Sequence, residues 1–200
     1  MKKILFAAFP AILLFSGWLI PADPLPIGAS LPHPEVKMKD ISGQEVSFSD
    51  ARKKNGLLVM FSCNTCPYVI KNQTRTKEVC QFASNKDIGV VLLNSNEAQR
   101  REDDSFDEMK AYAADQGYNW FYLVDKNSAM ADAFGANRTP ECFLFDKEGK
   151  LVYHGAIDDN AGDASAVSRK HLIEAMTEIT SNKDVTVKKS RSVGCTIKRQ

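Results

Sequence analysis

The chain has 200 residues, 44% hydrophobic and 26% charged, with a formal net charge of +1. This is an ordinary globular composition, sufficient for one well-packed core, and it excludes neither catalysis nor binding. The near-neutral balance gives no reason to expect nucleic acid as a partner.

The N-terminus differs from the rest. Lys2 and Lys3 precede an apolar run from Ile4 to Ile20, which Pro21, Asp23 and Pro24 bring to an end. Positive residues before a short apolar core read as an export signal or N-terminal anchor over residues 1–22. At about 17 residues, with Pro10, Ser16 and Gly17 inside it, the run sits at the short edge of a membrane span. Ala22 is the best of several poor cleavage sites. The expected location is periplasmic or otherwise extracytoplasmic, with membrane contact only through this segment. Residues 23–35, which hold Pro24, Pro26, Pro32 and Pro34, read as an extended linker.

The domain is expected over 36–181. A short hairpin is expected around Ile41–Gln44, and a helical turn from Ser49–Asp50. Leu57–Phe61 is a continuous apolar run, as in a strand covered on both faces. Next come Cys63 and Cys66 in FSCNTCPY, then a helix from Pro67 to Ala83, with proline acceptable in its first turn. The pattern alternates onward: strand 88–93, helix 105–116, strand 120–124, helix 128–134. Cys142–Phe145 and Leu151–His154 read as two strands joined by Asp146-Lys147-Glu148-Gly149, a β-hairpin. A last helix is expected over 168–179, with Leu172, Ile173, Met176 and Ile179 on one face, followed by a basic tail over 182–200. The alternation predicts an α/β fold.

The CxxC is the main clue to chemistry. A cysteine that opens a helix faces unpaired backbone N–H groups and the positive end of the helix dipole, which favour thiolate. Cys63 is read as the nucleophile on this ground, and Cys66, one turn on, as the thiol that resolves a mixed disulfide. The two are expected to pair with each other. Cys80 and Cys142 fall in a predicted helix and strand and read as small buried hydrophobes. No cofactor is implied. A zinc site needs further ligands at close spacing, and the remaining Cys and His residues, His33, His154 and His171 included, supply none, so no metal is expected.

The order strand, CxxC, helix, βαβ units, then Arg138-Thr139-Pro140 leading into a strand and hairpin resembles the thioredoxin-like superfamily. The resemblance implies a thioredoxin-like fold, a central mixed β-sheet flanked by helices, here with an N-terminal β-hairpin extension. It also implies a cis Pro140 facing the CxxC, with the Thr139 backbone presented to a bound peptide. The runs CNTCPY, LLNSNE, DSFDEMK, GANRTPECFLFDKEGKLVYHGAIDDN and VGCTIK, over about residues 27–199, resemble the redoxin branch usually labelled alkyl hydroperoxide reductase/thiol-specific antioxidant-like, or peroxiredoxin-like.

Departures from these patterns are informative. Peroxiredoxins carry PxxxTxxC. Counting back from Cys66 places Cys63 and Val59 at the threonine and proline positions, and counting back from Cys63 places Met60 and Gly56 there. Arg138 stands either for the distant peroxidase arginine or for a group that lowers a thiol pKa or binds substrate backbone. Thioredoxin's buried aspartate, six residues before the first cysteine, is replaced by Leu57. Glu97, following Asn94-Ser95-Asn96 at a predicted strand end, is a candidate replacement base or else a solvated loop carboxylate. Cys195, in VGCTIK, is either a third thiol that a mobile tail brings to Cys63 or a tail cysteine that packs or pairs elsewhere, with Cys80 for example. Asp158-Asp159-Asn160 reads as a loop capping a helix near Ala164. The expected activity is thiol-disulfide exchange on protein or small-molecule disulfides, with an unidentified electron donor. Thiol peroxidase and non-catalytic metal-binding or interaction module are the alternatives.

Overall fold

The computed structural model describes residues 23–200; the expected export segment, 1–22, lies outside them. Five strands form a mixed sheet: β3 (Leu57–Ser62), β4 (Gly89–Asn94), β5 (Phe121–Val124), β7 (Glu141–Phe145) and β8 (Leu151–Gly155). Their spatial order is β5-β4-β3-β7-β8. β3, β4 and β5 run parallel, and β7 and β8 are antiparallel to their neighbours. Between them lie α2 (Pro67–Asn85), α3 (Phe106–Gln116), α4 (Ala129–Phe134) and a short β6 (Arg138–Thr139). A hairpin of β1 (Met38–Lys39) and β2 (Glu45–Val46) precedes the short α1 (Phe48–Ala51). The helix α5 (His171–Thr180) comes after the sheet, and β9 (Cys195–Thr196) closes the chain. The architecture is the thioredoxin-like one implied by the order of motifs.

Side chains alternate across β3, which is why the whole run is apolar. Leu57, Val59 and Phe61 pack with Phe48, Phe134, Phe143 and Phe145 under the hairpin, α1 and α4. Leu58 and Met60 pack with Val79, Tyr122, Leu144, Tyr153 and Met176 under α2, α3 and α5. Burial on both faces holds the C-terminal end of β3, and so the CxxC, in place.

The helices begin and end where local chemistry dictates. α1 starts one residue earlier than Ser49 because Ser47 and Asp50 form a reciprocal capping box. α5 starts at His171, three residues later than expected, because Asp163 caps a separate 3-10 turn over 164–166. Asp158 does not cap that turn; its carboxylate takes two bonds from Arg75 Nη1 of α2, at 2.8 and 2.7 Å. The proline-bearing stretch lies on the domain rather than standing off as a linker. Leu25 N donates to Phe134 O, Gly28 N to Leu151 O and Leu31 N to Gly149 O, and Leu25, Ile27 and Leu31 join the core. Among the described residues, no helix is long and apolar enough to cross a membrane.

Phe143 links the aromatic cluster to His154, with ring centroids 5.6 Å from Phe61, 5.1 Å from Phe134 and 4.4 Å from His154. Phe143→Ala is expected to cost about 3–5 kcal/mol of unfolding free energy, read from urea denaturation.

Candidate active site

Cys63 comes directly after β3. Asn64 and Thr65 turn the chain, and Cys66, not Cys63, is the N-cap of α2, with Pro67 in the first turn. Cys63 therefore does not open the helix, contrary to the expectation from sequence. Cys63 lies before the helix, and the backbone N–H groups of Cys66 and Thr65 act only to lower its pKa somewhat. Its side chain is 1% exposed, and its Sγ is 3.5 Å from Thr139 Oγ1.

The pairing of sulfurs also differs from expectation. Cys66 is disulfide-bonded to Cys195, with Cα atoms 6.0 Å apart, and Cys63 is a free thiol. Cys195 therefore pairs with neither Cys63 nor Cys80. Cys66 Sγ lies 3.3 Å from the Thr139 carbonyl oxygen, a contact in which a disulfide sulfur has no proton to donate. The Thr139–Pro140 peptide bond is cis. Cys80 and Cys142 are buried and free, and burial pushes both thiols up.

Helix-end N–H groups do not decide the Cys63 thiol. Burial raises it above its ordinary value, the Thr139 hydroxyl and two backbone N–H groups work against that, and the Asp104 charge adds to the rise. In this form the balance runs against the thiolate that was expected at Cys63.

Asp104 is the group that sequence reasoning missed. It is fully buried, and its Oδ1 accepts from Asn64 N at 3.0 Å and Asn94 Nδ2 at 2.6 Å, while Oδ2 accepts from Asn96 Nδ2 at 2.8 Å. Asn64 is held from two further sides: its Nδ2 donates to Asp103 O at 2.8 Å, and its Oδ1 accepts from Tyr122 OH at 2.9 Å. The dipeptide between the cysteines is thus pinned to a buried carboxylate. Asp103-Asp104 before Ser105 looks like ordinary acid at a helix start. The one hint in the sequence is the set of asparagines, 64, 94 and 96, which need a shared acceptor.

Among the expected supporting residues, Thr139, Pro140 and Asn94 are at the site. Glu97 is not. Its Oε2 accepts from Asn127 N at 2.8 Å and lies 3.7 Å from Arg100 Nε, so it ties two loops and supplies no base to the thiols. Arg138 is exposed, and its Nη1 donates to Gly194 O and Thr196 Oγ1, each at 3.4 Å. It touches the tail, not a sulfur. The loop before Pro140 is held by Glu141, whose Oε2 accepts from Asn137 N and Arg138 N at 2.8 and 2.9 Å and whose Oε1 meets His154 Nε2 at 2.7 Å. Among the described residues, no group of three or more His, Cys, Asp or Glu is placed to hold a metal.

Comparison with known proteins decides the family. Residues 27–170 match the Redoxin family model. The chain belongs to the Redoxin family. An uncharacterized conserved protein from Geobacillus kaustophilus superposes with a TM-score of 0.81 at 29% identity, over 88% of this chain and 93% of that one. A hypothetical protein from Sinorhizobium meliloti 1021 gives 0.80 at 30% identity, over 89% and 97%. The thiol-disulfide oxidoreductase ResA of Bacillus thuringiensis (strain Al Hakam) is 22% identical over 139 residues, 70% of this chain and 75% of ResA. The Redoxin match ends before the tail that carries Cys195.

The electrostatics of Cys63 and Glu141 each have a measurable outcome. Because the Asp104 charge adds to the rise at Cys63, Asp104→Asn is expected to lower the Cys63 pKa and to speed its alkylation by iodoacetamide at pH 7 several-fold. The same change turns an amide donor toward donors and costs about 1–3 kcal/mol in urea denaturation. Burial of Glu141 works to raise its pKa, but His154 and the N–H groups of Asn137 and Arg138 outweigh it, and the carboxyl is held below its ordinary 4.5. A carboxyl depressed on folding stabilises above its unfolded value and loses that contribution as pH falls through the folded one. Tm should therefore fall with pH below about 4.5, less steeply in Glu141→Gln.

Proposed function

We propose that this Redoxin is an exported thiol-disulfide oxidoreductase acting on protein disulfides, with Cys63 as nucleophile and Cys66 as resolving thiol. The observation that carries the reading is the convergence on Thr139 of a free thiol, Cys63, and a disulfide sulfur, Cys66, from the two ends of the CxxC. Export is inferred from Lys2, Lys3 and the apolar run after them. The name borne by ResA agrees with the chemistry at a distance that leaves the substrate open.

The cycle starts from the form in which all three site cysteines are reduced. The Cys63 thiolate attacks one sulfur of a substrate disulfide, forms a mixed disulfide and releases the other sulfur as thiolate, which takes a proton. Cys66 thiolate then attacks Cys63 Sγ, forming Cys63–Cys66 and releasing the second substrate thiol. A dithiol donor reverses the net two-electron oxidation. Thr139 Oγ1, 3.5 Å from Cys63 Sγ, and the N–H groups of Thr65 and Cys66 stabilise the attacking charge. Opposing them are burial and Asp104, so exchange depends on relieving the burial.

Two of the three exposed large apolar side chains among the described residues, Ile70 and Val193, lie four residues after Cys66 and two before Cys195. Apolar exposure flanking the sulfurs suits a protein substrate. Beside Asn64 and Thr65 is an open hollow of about 310 Å³ edged by Asp103, Glu108 and Asp115.

The reduced protein is expected to reduce a disulfide-bonded test protein with a dithiol as electron source. Cys63→Ser should fall to the uncatalysed background, and Cys66→Ser should stall as a mixed disulfide at Cys63. Undiminished exchange in Cys63→Ser would overturn the assignment, as would rapid stoichiometric consumption of micromolar peroxide in the absence of disulfide exchange.

A further inference from the structure

The tail that carries Cys195 is docked on the Pro140 loop as a strand. β9 runs antiparallel to β6, with Cys195 opposite Thr139 and Thr196 opposite Arg138. The approach is close enough to require glycine at 194, since a Cβ there would stand 2.1 Å from the Thr139 carbonyl oxygen. On one side the tail is fixed to β8: Ser190 N donates to His154 O, and His154 N donates to Lys188 O, each at 3.0 Å. On the other, Ile197 is buried and its N donates to Asn137 O at 3.1 Å, while Arg199 Nη2 donates to Ala136 O at 2.6 Å. Between these anchors Cys195 is delivered to Cys66 as the cysteine of an extended peptide added to a strand edge. It also packs against the cluster of Cys63, Cys66 and Val69.

We propose that Cys195 is a third redox thiol of this site and that the disulfide migrates within the chain between Cys66–Cys195 and Cys63–Cys66, seating and releasing the tail. This rests on the reading of Cys63 and Cys66 as the redox pair. In the releasing step the Cys63 thiolate attacks Cys66 Sγ. The Cys63–Cys66 bond forms, the Cys66–Cys195 bond breaks, and the electron pair leaves on Cys195, which takes up the proton that Cys63 gave. Nothing is oxidised or reduced overall, so no outside reagent is needed. The anchors at Ser190 and Ile197 keep Cys195 close, which makes the exchange intramolecular and reversible.

While Cys195 holds Cys66, a mixed disulfide at Cys63 has no resolving thiol, and the seated tail occupies the β6 edge. Once Cys195 is released, the stretch around Val193–Thr196 can leave that edge to an incoming extended segment. The tail is thus a resident stand-in for the substrate.

The test tracks the sulfurs. Fully reduced chain is oxidised with limiting glutathione disulfide, quenched in acid at increasing times and blocked with N-ethylmaleimide, and the pairing is read by non-reducing peptide mass spectrometry. Cys63–Cys66 should appear first and give way to Cys66–Cys195 at a rate independent of protein concentration. Cys195→Ser should stop at Cys63–Cys66. Gly194→Ala, which keeps every sulfur but pushes β9 off Thr139, should move the final ratio about tenfold toward Cys63–Cys66, equivalent to about 1.4 kcal/mol. A wild-type end point of Cys63–Cys66, unchanged in Gly194→Ala, overturns the proposal and leaves the oxidoreductase reading intact. Failure of Cys195→Ser to form Cys63–Cys66 overturns both.

Discussion

Thr139 is the residue on which the site depends. Its hydroxyl meets Cys63, its carbonyl oxygen meets Cys66, and its backbone pairs with Cys195. A single residue therefore sets the mutual distances of three sulfurs, one of them far from the other two in the chain. Thr139 is itself held by its neighbours in the loop: Glu141 takes the N–H groups of Asn137 and Arg138 and braces on His154. His154 in turn stacks on Phe143. The sulfur geometry is thus continuous with the aromatic core beneath the sheet, and core packing of this density transmits little slack.

The electrostatics of Cys63 show a contest in which geometry alone misleads. N–H groups at the start of a helix and a nearby hydroxyl all favour thiolate, yet burial outweighs them and Asp104 adds to the opposition. A charge removed from water loses more than a few hydrogen bonds return unless a cation is close. Asp104 is tolerated there because three donors satisfy its oxygens. Its main service is structural: it fixes Asn64, and with it the turn between the cysteines. Arg100 closes the same loop, donating to Asn94 O at 2.6 Å and to Asp104 O at 2.8 Å.

Glu97 and Arg138 show why proximity in a motif is a poor guide to proximity in space. Both sit within a few residues of groups that belong to the site, Asn94 and Thr139. A strand end sends successive side chains in opposite directions, and the 3-10 turn over 97–99 sends Glu97 toward Asn127. Arg138 and Thr139 are neighbours in β6 and face opposite ways for the same reason: one is exposed against the tail and the other buried against Cys63.

By itself the sequence determined the order and type of the elements, because apolar runs of strand length alternate with helical periods and the turn residues fall between them. The grouping of Cys63 and Cys66 with Thr139 and Pro140 came from the resemblance of the ordered motifs to the thioredoxin-like superfamily, whereas the strand-end rule, applied to Glu97, misplaced it. Only the tertiary structure decided which sulfurs pair, where the acid sits and what the tail does. Those outcomes turn on contacts between residues 129 positions apart for Cys66 and Cys195 and 40 apart for Asn64 and Asp104. Such contacts have no period or local spacing to betray them; they exist because the sheet, once packed, brings the two backbones to the same place.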